Sequence, residues 1–387
     1  MKTFGHLLLI LFLLLLLAGC GGGGGGGSSS AIVSGVASKG IIRNGTIRIY
    51  ALTADGSKGS LLLETTTDNS GAYRADIGSY RGPLLVEASG SYTDEATGAT
   101  VEIAAAAPLR AAITAQSSSL TVSVTPLTEL AVRKSEDPLT HRITVNAIET
   151  NNALISEIFR VDALGTLPVD ALSAVDGTES QKEYALVLAA VAKLMQSRGT
   201  DLSTVLTSLK DAIGTDNRLD VTVAAELQTA LVEFAASAAN MTGITDISAT
   251  PLINIGWGIK TLSIATTGAT GQIAGIGTTI TLPAGVTVNA DASGAIASSV
   301  LTTSGAAQGL AILAGRYVPA TDSLRATVRI AVVSATAFDV GGFATLTCNI
   351  APDAVSIAAA DFTVSELTVV DVNTNVIPAG IALTLSP

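Results

Sequence analysis

Cysteine is almost missing from this 387-residue chain: Cys20 and Cys348 are its only two. A disulfide scaffold is therefore excluded, and any folded part must hold itself by core packing. Aromatics make up only 4% of the residues, which leaves few rings once a core is filled. Histidine occurs twice, as His6 and His141. A zinc site would have to draw on one His and one Cys of the mature chain, and nucleophilic catalysis lacks an obvious base. No G-x-S-x-G, H-E-x-x-H or Walker sequence is present. No catalytic residue, metal or cofactor is expected. Basic residues are outnumbered, with 21 against 32 acidic and a net charge of −11. That balance excludes nucleic acid as a partner held by bulk charge. Long apolar runs are missing as well. Residues 7–17 form the longest one near the start, too short for the roughly 20 residues of a membrane span.

What is present at the start is an address. Lys2 precedes the apolar run, and Leu17-Ala18-Gly19-Cys20 closes it. A charged n-region, a short apolar segment and small residues make a secretion signal. The four closing residues resemble the lipobox of bacterial lipoproteins. That resemblance implies cleavage after residue 19 and a multi-chain lipid, palmitate included, on Cys20. Gly21, in place of Asp, leans the sorting toward the outer membrane. Removal of residues 1–19 takes away only the charge of Lys2, leaving 20 basic against 32 acidic residues, a net −12. Residues 20–30 read as a tether. Its ten Gly and Ser residues form a flexible coil with a reach of about 16–19 Å.

Residues 31–124 read as strands. Ile47, Ile49 and Ala51 alternate with Arg48 and Tyr50, and further short strands are expected over 61–64, 73–77, 84–88, 101–105 and 120–124. Asp55-Gly56, Asp68-Asn69-Ser70-Gly71 and Gly82-Pro83 supply the turns. This spacing predicts a β-sandwich. Ser34-Gly35-Val36, Gly45-Thr46-Ile47-Arg48-Ile49-Tyr50 and Thr67-Asp68-Asn69-Ser70-Gly71-Ala72-Tyr73 resemble the carboxypeptidase regulatory-like, prealbumin-type domain. The resemblance covers residues 31–90 and implies a hairpin turn at Asp68 and a structural or adhesive role.

The apolar period changes near Thr125. Thr125 is a good N-cap and Pro126 suits the first helical position. Ile148, Asn151, Leu154, Ile155 and Ile158 lie on one helical face, as do Tyr184, Val187, Leu188, Val191, Leu194 and Met195. Gly199 stops that helix, Asp201 caps the next, and Val223, Leu227, Leu231 and Phe234 mark the last. Residues 125–245 are expected to form a helical bundle between two β units, with His141 at a helix start.

Residues 246–387 return to a period of two. Gly342 to Ile350, then Asp361-Phe362 and Val370-Asp371-Val372-Asn373, are similar to cohesin-like domains of the carbohydrate-binding-module superfamily. That similarity implies a jelly-roll-like sandwich that binds a protein, or polysaccharide in its relatives. Asp371-Val372-Asn373-Thr374-Asn375 begins like a calcium loop. However, Val376 stands where Gly is required and Ala382 where the bidentate Glu is, so a hairpin tip is expected. Asp94-Glu95 with Asp68 could surround a cation, though turn carboxylates are usually solvated. Cys348 reads as a buried thiol. Trp257, between two glycines, is the best exposed aromatic candidate for ligand binding, but it cannot form a row alone.

The expected fold class is thus multidomain β plus α: an N-terminal β-sandwich, a central helical bundle and a C-terminal jelly-roll-like β-sandwich. The expected function is a non-enzymatic, lipid-anchored binding or assembly protein of the cell envelope. It meets the membrane through Cys20 and an envelope protein through residues 246–387. The alternatives are a carbohydrate-binding surface lipoprotein linked to polysaccharide utilisation and a structural spacer.

Overall fold

The computed structural model describes residues 30–114, 117–173, 176–269 and 272–386. The signal segment, Cys20 and nearly all of the tether lie outside the described residues. The described chain is β-rich, with several sheets and a few helices.

The first eight strands are β1 (Ile32–Val36), β2 (Thr46–Leu52), β3 (Lys58–Thr66), β4 (Ala72–Asp76), β5 (Pro83–Thr93), β6 (Thr100–Ile103), β7 (Leu109–Thr114) and β8 (Ser119–Thr121). They form two sheets. One has the order β4-β1-β8, and the other is β3-β2-β5, with both β6 and β7 on β5. The β1/β8 pair is parallel; the rest are antiparallel. Ile47 and Ile49 are fully buried while Arg48 and Tyr50 are half-buried, as a period of two requires. The Asp68 turn is not a hairpin within one sheet. It carries the chain from β3 in one sheet to β4 in the other. Asp68 Oδ1 accepts from the backbone N–H groups of Ser70 and Ala72, and Gly71 takes a φ of 75°. Tyr73 then enters the core and donates its hydroxyl to Val122 O at 2.5 Å.

Five α-helices follow among the described residues: α1 (Pro126–Ser135), α2 (Ile148–Phe159), α3 (Glu179–Arg198), α4 (Leu202–Ala212) and α5 (Val221–Ala235). Thr125 and Thr178 each form a capping box, and the side chains of Asp201 and Asp220 cap α4 and α5. Gly199 ends α3 at a φ of 61°. The Tyr184 to Met195 stripe is core. Tyr184 is fully buried, donates to Ala163 O at 2.8 Å and shares a hydrogen bond with Thr125. The helices do not simply stand between two β units. Leu52, Leu85 and Ala112 point out of the first sandwich and pack against Val132, Ile143 and Ile148. The helical layer therefore also covers part of the outer face of that sheet, where Leu85 and Ala112 are apolar and Arg110 is paired with Glu129 of α1. His141 is a correction to the expected helix start. It is exposed, at a φ of 55°, in the turn that follows α1, and its N–H donates to Asp137 O.

The remaining strands are β9 (Gly258–Thr267), β10 (Ile273–Thr281), β11 (Val286–Thr287), β12 (Leu301–Thr303), β13 (Ala311–Val318), β14 (Thr327–Phe338), β15 (Gly342–Ile350), β16 (Thr363–Val370) and β17 (Gly380–Ser386). One sheet has the order β13-β14-β10-β16. The other is β11-β15-β9-β17 with β12 on β15. Ile276, Ile280, Ile330 and Val332 face Leu262, Ile264, Phe343 and Leu346 in one shared core.

Candidate docking face

Among the described residues, nothing covers the outer surface of the β13-β14-β10-β16 sheet along β13 and β14. Alternation along β14 sends Val328, Ile330 and Val332 inward, leaving Arg329, Ala331 and Val333 outside. On β13 the outward set is Ile312, Ala314, Arg316 and Val318. The register puts these residues in level rows. Ile312 lies beside Val333, then Gly275 and Val370; Ala314 beside Ala331, Gly277 and Thr368; Arg316 beside Arg329, Thr279 and Ser365. Ile312 is 79% exposed and Val333 63%. Two large aliphatic side chains thus stand in direct register and open to water on this face.

The arginine row is a second feature of the face. Like charges directly opposite each other on neighbouring strands are destabilising. Neither Arg316 nor Arg329 makes an ion pair among the described residues, nor does the neighbouring Arg325. Several other cations of the described chain are neutralised. Lys39, Arg43, Arg48, Lys58 and Arg110 all meet carboxylates. Glu366 stands at the far end of the row, on a bulge with a φ of 53°, and its carboxylate accepts from the Thr279 hydroxyl at 2.7 Å. The row thus reads plus, plus, neutral, minus.

The flanking edges are covered in part. Along β13, Ile296 N–H donates to Gly315 O, and Tyr317 N–H donates to Gly294 O. Along β16, Ile377 N–H donates to Val369 O. Partners that add a strand at these positions are blocked.

The residues singled out from sequence lie elsewhere. Trp257 is half-buried where the helices meet β9. Its carbonyl accepts from Arg160 Nη2 at 3.0 Å, so it is a junction residue and not part of the face. Phe338, Phe343 and Phe362 are buried, and Tyr317 is half-buried on the inner side. No aromatic ring of residues 258–386 is exposed among the described residues. Cys348 is fully buried, and burial pushes its thiol up to about 12. Asp371 Oδ1 accepts from the N–H groups of Asn373 and Asn375, which makes the loop a self-capped turn. Asp94 and Glu95 do not join Asp68. Both pair with the buried Lys39, at 3.3 and 2.8 Å.

A cleft of about 630 Å³ lies between β5–β7 and α1/α4, lined by Lys58, Glu87, Arg110, Glu129 and Arg133 among others. Its charges answer one another. Arg110 forks onto Glu129 at 2.9 and 2.8 Å and reaches Glu136 at 2.5 Å, while Arg133 meets Glu129 at 2.7 Å. Burial disfavours the Arg110 charge, yet Glu129 and Glu136 outweigh it and hold the guanidinium above its ordinary range. This network clamps α1 to β7 and ties Arg110, Arg133, Glu129 and Glu136 to one another.

No protein-family profile, no curated protein and no solved structure matches this chain.

Proposed function

We propose that the chain is a lipid-anchored protein of the cell envelope that works by binding a protein partner through the outer face of the β13-β14-β10-β16 sheet. In this reading Cys20 carries the lipid, the outer membrane is the site, and residues 31–124 and 246–387 are the prealbumin-like and cohesin-like modules. The observation that carries the docking reading is the exposed row of Ile312 and Val333, on the same face as Arg316 and Arg329, which make no ion pair among the described residues. A flat mixture of aliphatic and arginine side chains suits a protein surface of modest affinity. A sugar platform is less well supported, because exposed rings are what sugar contact would use, and Trp257 and Tyr317 are both half-buried.

Two expected results follow. Metabolic palmitate labelling should mark the full chain and fail to mark Cys20→Ser; equal labelling of the two would end the anchor reading. Chemical cross-linking in intact cells should join the wild type to an envelope protein. Val333→Asp should reduce that yield roughly tenfold, equivalent to about 1.4 kcal/mol of binding. Unchanged cross-linking by the folded variant would remove this face as the docking surface. Retardation of the wild type by a polysaccharide in affinity electrophoresis, lost in Trp257→Ala, would favour the carbohydrate-binding alternative instead.

A further inference from the structure

We propose that the partner of this face is a second copy of the same chain, joined to the first by a two-fold axis running along the strands. This deepens the docking reading and rests on it. A two-fold interface sets residue i against j and j against i, so the face must be complementary to itself when reversed. Reversal across the strands lays β13 of one copy over β16 of the other, and β14 over β10. The levels along the strands are unchanged.

Each level then matches. At the first, Arg316 of one copy meets Glu366 of the other, and Arg329 meets Thr279. The plus, plus, neutral, minus row supplies a carboxylate for Arg316 at both ends of the dimer and relieves its repulsion with Arg329. At the second level Ala331 meets Gly277 and Ala314 meets Thr368. At the third Val333 meets Gly275 and Ile312 meets Val370. The projecting column on β14 thus falls on the β10 column that has glycine at two of its three positions. Gly277 has open space where a Cβ would stand, whereas at Gly275 the Val370 side chain of the same copy already crowds that place, 2.8 Å away, so Val333 meets Val370 there rather than a bare glycine. The exposed Ile312 and Val333 lose water together at one end, and the charged row closes the other.

Size sets the strength. Four strands about 4.8 Å apart and about seven residues long offer a patch of roughly 20 by 24 Å. Two such patches bury on the order of 1,000 Å² in total, near the lower bound for a specific interface. The dimer is therefore weak in solution, and a shared membrane surface would raise its effective concentration.

Sedimentation equilibrium of the exported full chain carrying Cys20→Ser tests this between about 1 and 300 μM, a range set by the expectation of a micromolar interface. The expected result is a mass that rises from one copy toward two. Ile312→Asp, at a position too exposed to disturb the fold, should keep the chain monomeric throughout, as should Val333→Asp. Arg316→Glu and Glu366→Arg should each weaken dimerisation at least tenfold, and the double variant should recover to within about threefold of wild type. A wild type that stays monomeric overturns the proposal, as does a dimer indifferent to Ile312→Asp. Charge reversals that are not rescued in combination overturn it too. A monomeric wild type whose envelope cross-links still depend on Val333 would overturn the dimer alone and leave the docking reading standing.

Discussion

Lys39→Ala is expected to destabilise the first β unit by about 3–5 kcal/mol, the cost of removing one partner from a buried charge pair. Lys39 is fully buried, with Nζ 2.8 Å from Glu95 Oε2 and 3.3 Å from Asp94 Oδ2, and 5.1 Å from the centre of the Tyr92 ring. Glu95 also accepts from Gly40 N–H at 2.7 Å. Alanine leaves two carboxylates, both nearly sealed from water, with no cation. Burial pulls the Lys39 ammonium toward deprotonation, but Glu95, Tyr92 and Asp94 together hold it above its ordinary value. For Asp94, burial raises the carboxyl, and Lys39 with Thr97 overcomes this to hold it low. The signs give the pH window. The lysine's contribution is complete below the ordinary lysine pKa and is lost as pH rises through its raised value. The Asp94 contribution is complete above the ordinary aspartate pKa and is lost as pH falls through its depressed value. Urea unfolding of wild type and variant should therefore differ most near neutrality, and the gap should narrow as pH falls through the depressed Asp94 value. A gap under about 1 kcal/mol at neutral pH, the size of a surface pair, would falsify the buried-triad account.

Gly35→Ala should be comparably severe, at about 3 kcal/mol or more, because overpacking here meets backbone and not a side chain that can turn away. A Cβ at Gly35 would lie 1.9 Å from the Val122 carbonyl oxygen and 3.1 Å from a Tyr73 ring carbon. That same oxygen accepts the Tyr73 hydroxyl. One added methyl must prise the segment after β8 from β1 and break the buried hydrogen bond with it. Thermal denaturation is the check; an alanine variant that melts with the wild type would mean the two segments are not in such close contact.

These positions also show how far the sequence could be read. Elements with a clean period and explicit caps were legible: Ile47 and Ile49 against Arg48, Thr125-Pro126 at a helix start, and Gly199 at a helix end. The Ser34-Gly35-Val36 and Asp68 to Tyr73 motifs marked real features, since the glycine permits close approach and the aspartate caps a turn between sheets. Strand β7 was missed because both of its sides are packed: Leu109, Ala111 and Ile113 face the core, while Arg110 and Ala112 face the helices, where Arg110 is held by the distant Glu129. The Lys39 pairing was missed because it joins residues 55 and 56 apart in sequence. In the last β unit, alternation announced strands but not which parity faced out, since Ile312 and Leu313 are both large and apolar. Only the pairing of β13 with β14 decides that Ile312, Arg316, Arg329 and Val333 share an open surface.

The parallel pairing of β1 with β8 has a mechanical consequence. Ile32 N–H donates to Ser118 O, Val122 N–H to Ser34 O, Val124 N–H to Val36 O and Ser38 N–H to Val124 O. The chain enters this ladder at Ala31 and leaves it at Thr125. A pull between those two points drags the start of one strand and the end of its parallel neighbour in opposite directions. The load then runs along the strands, and the rungs must yield together rather than one after another as they do when a ladder is peeled from an end. Because forced unfolding is governed by the unfolding rate, this geometry makes the first β unit a stiff link between whatever holds residue 31 and whatever pulls beyond residue 125.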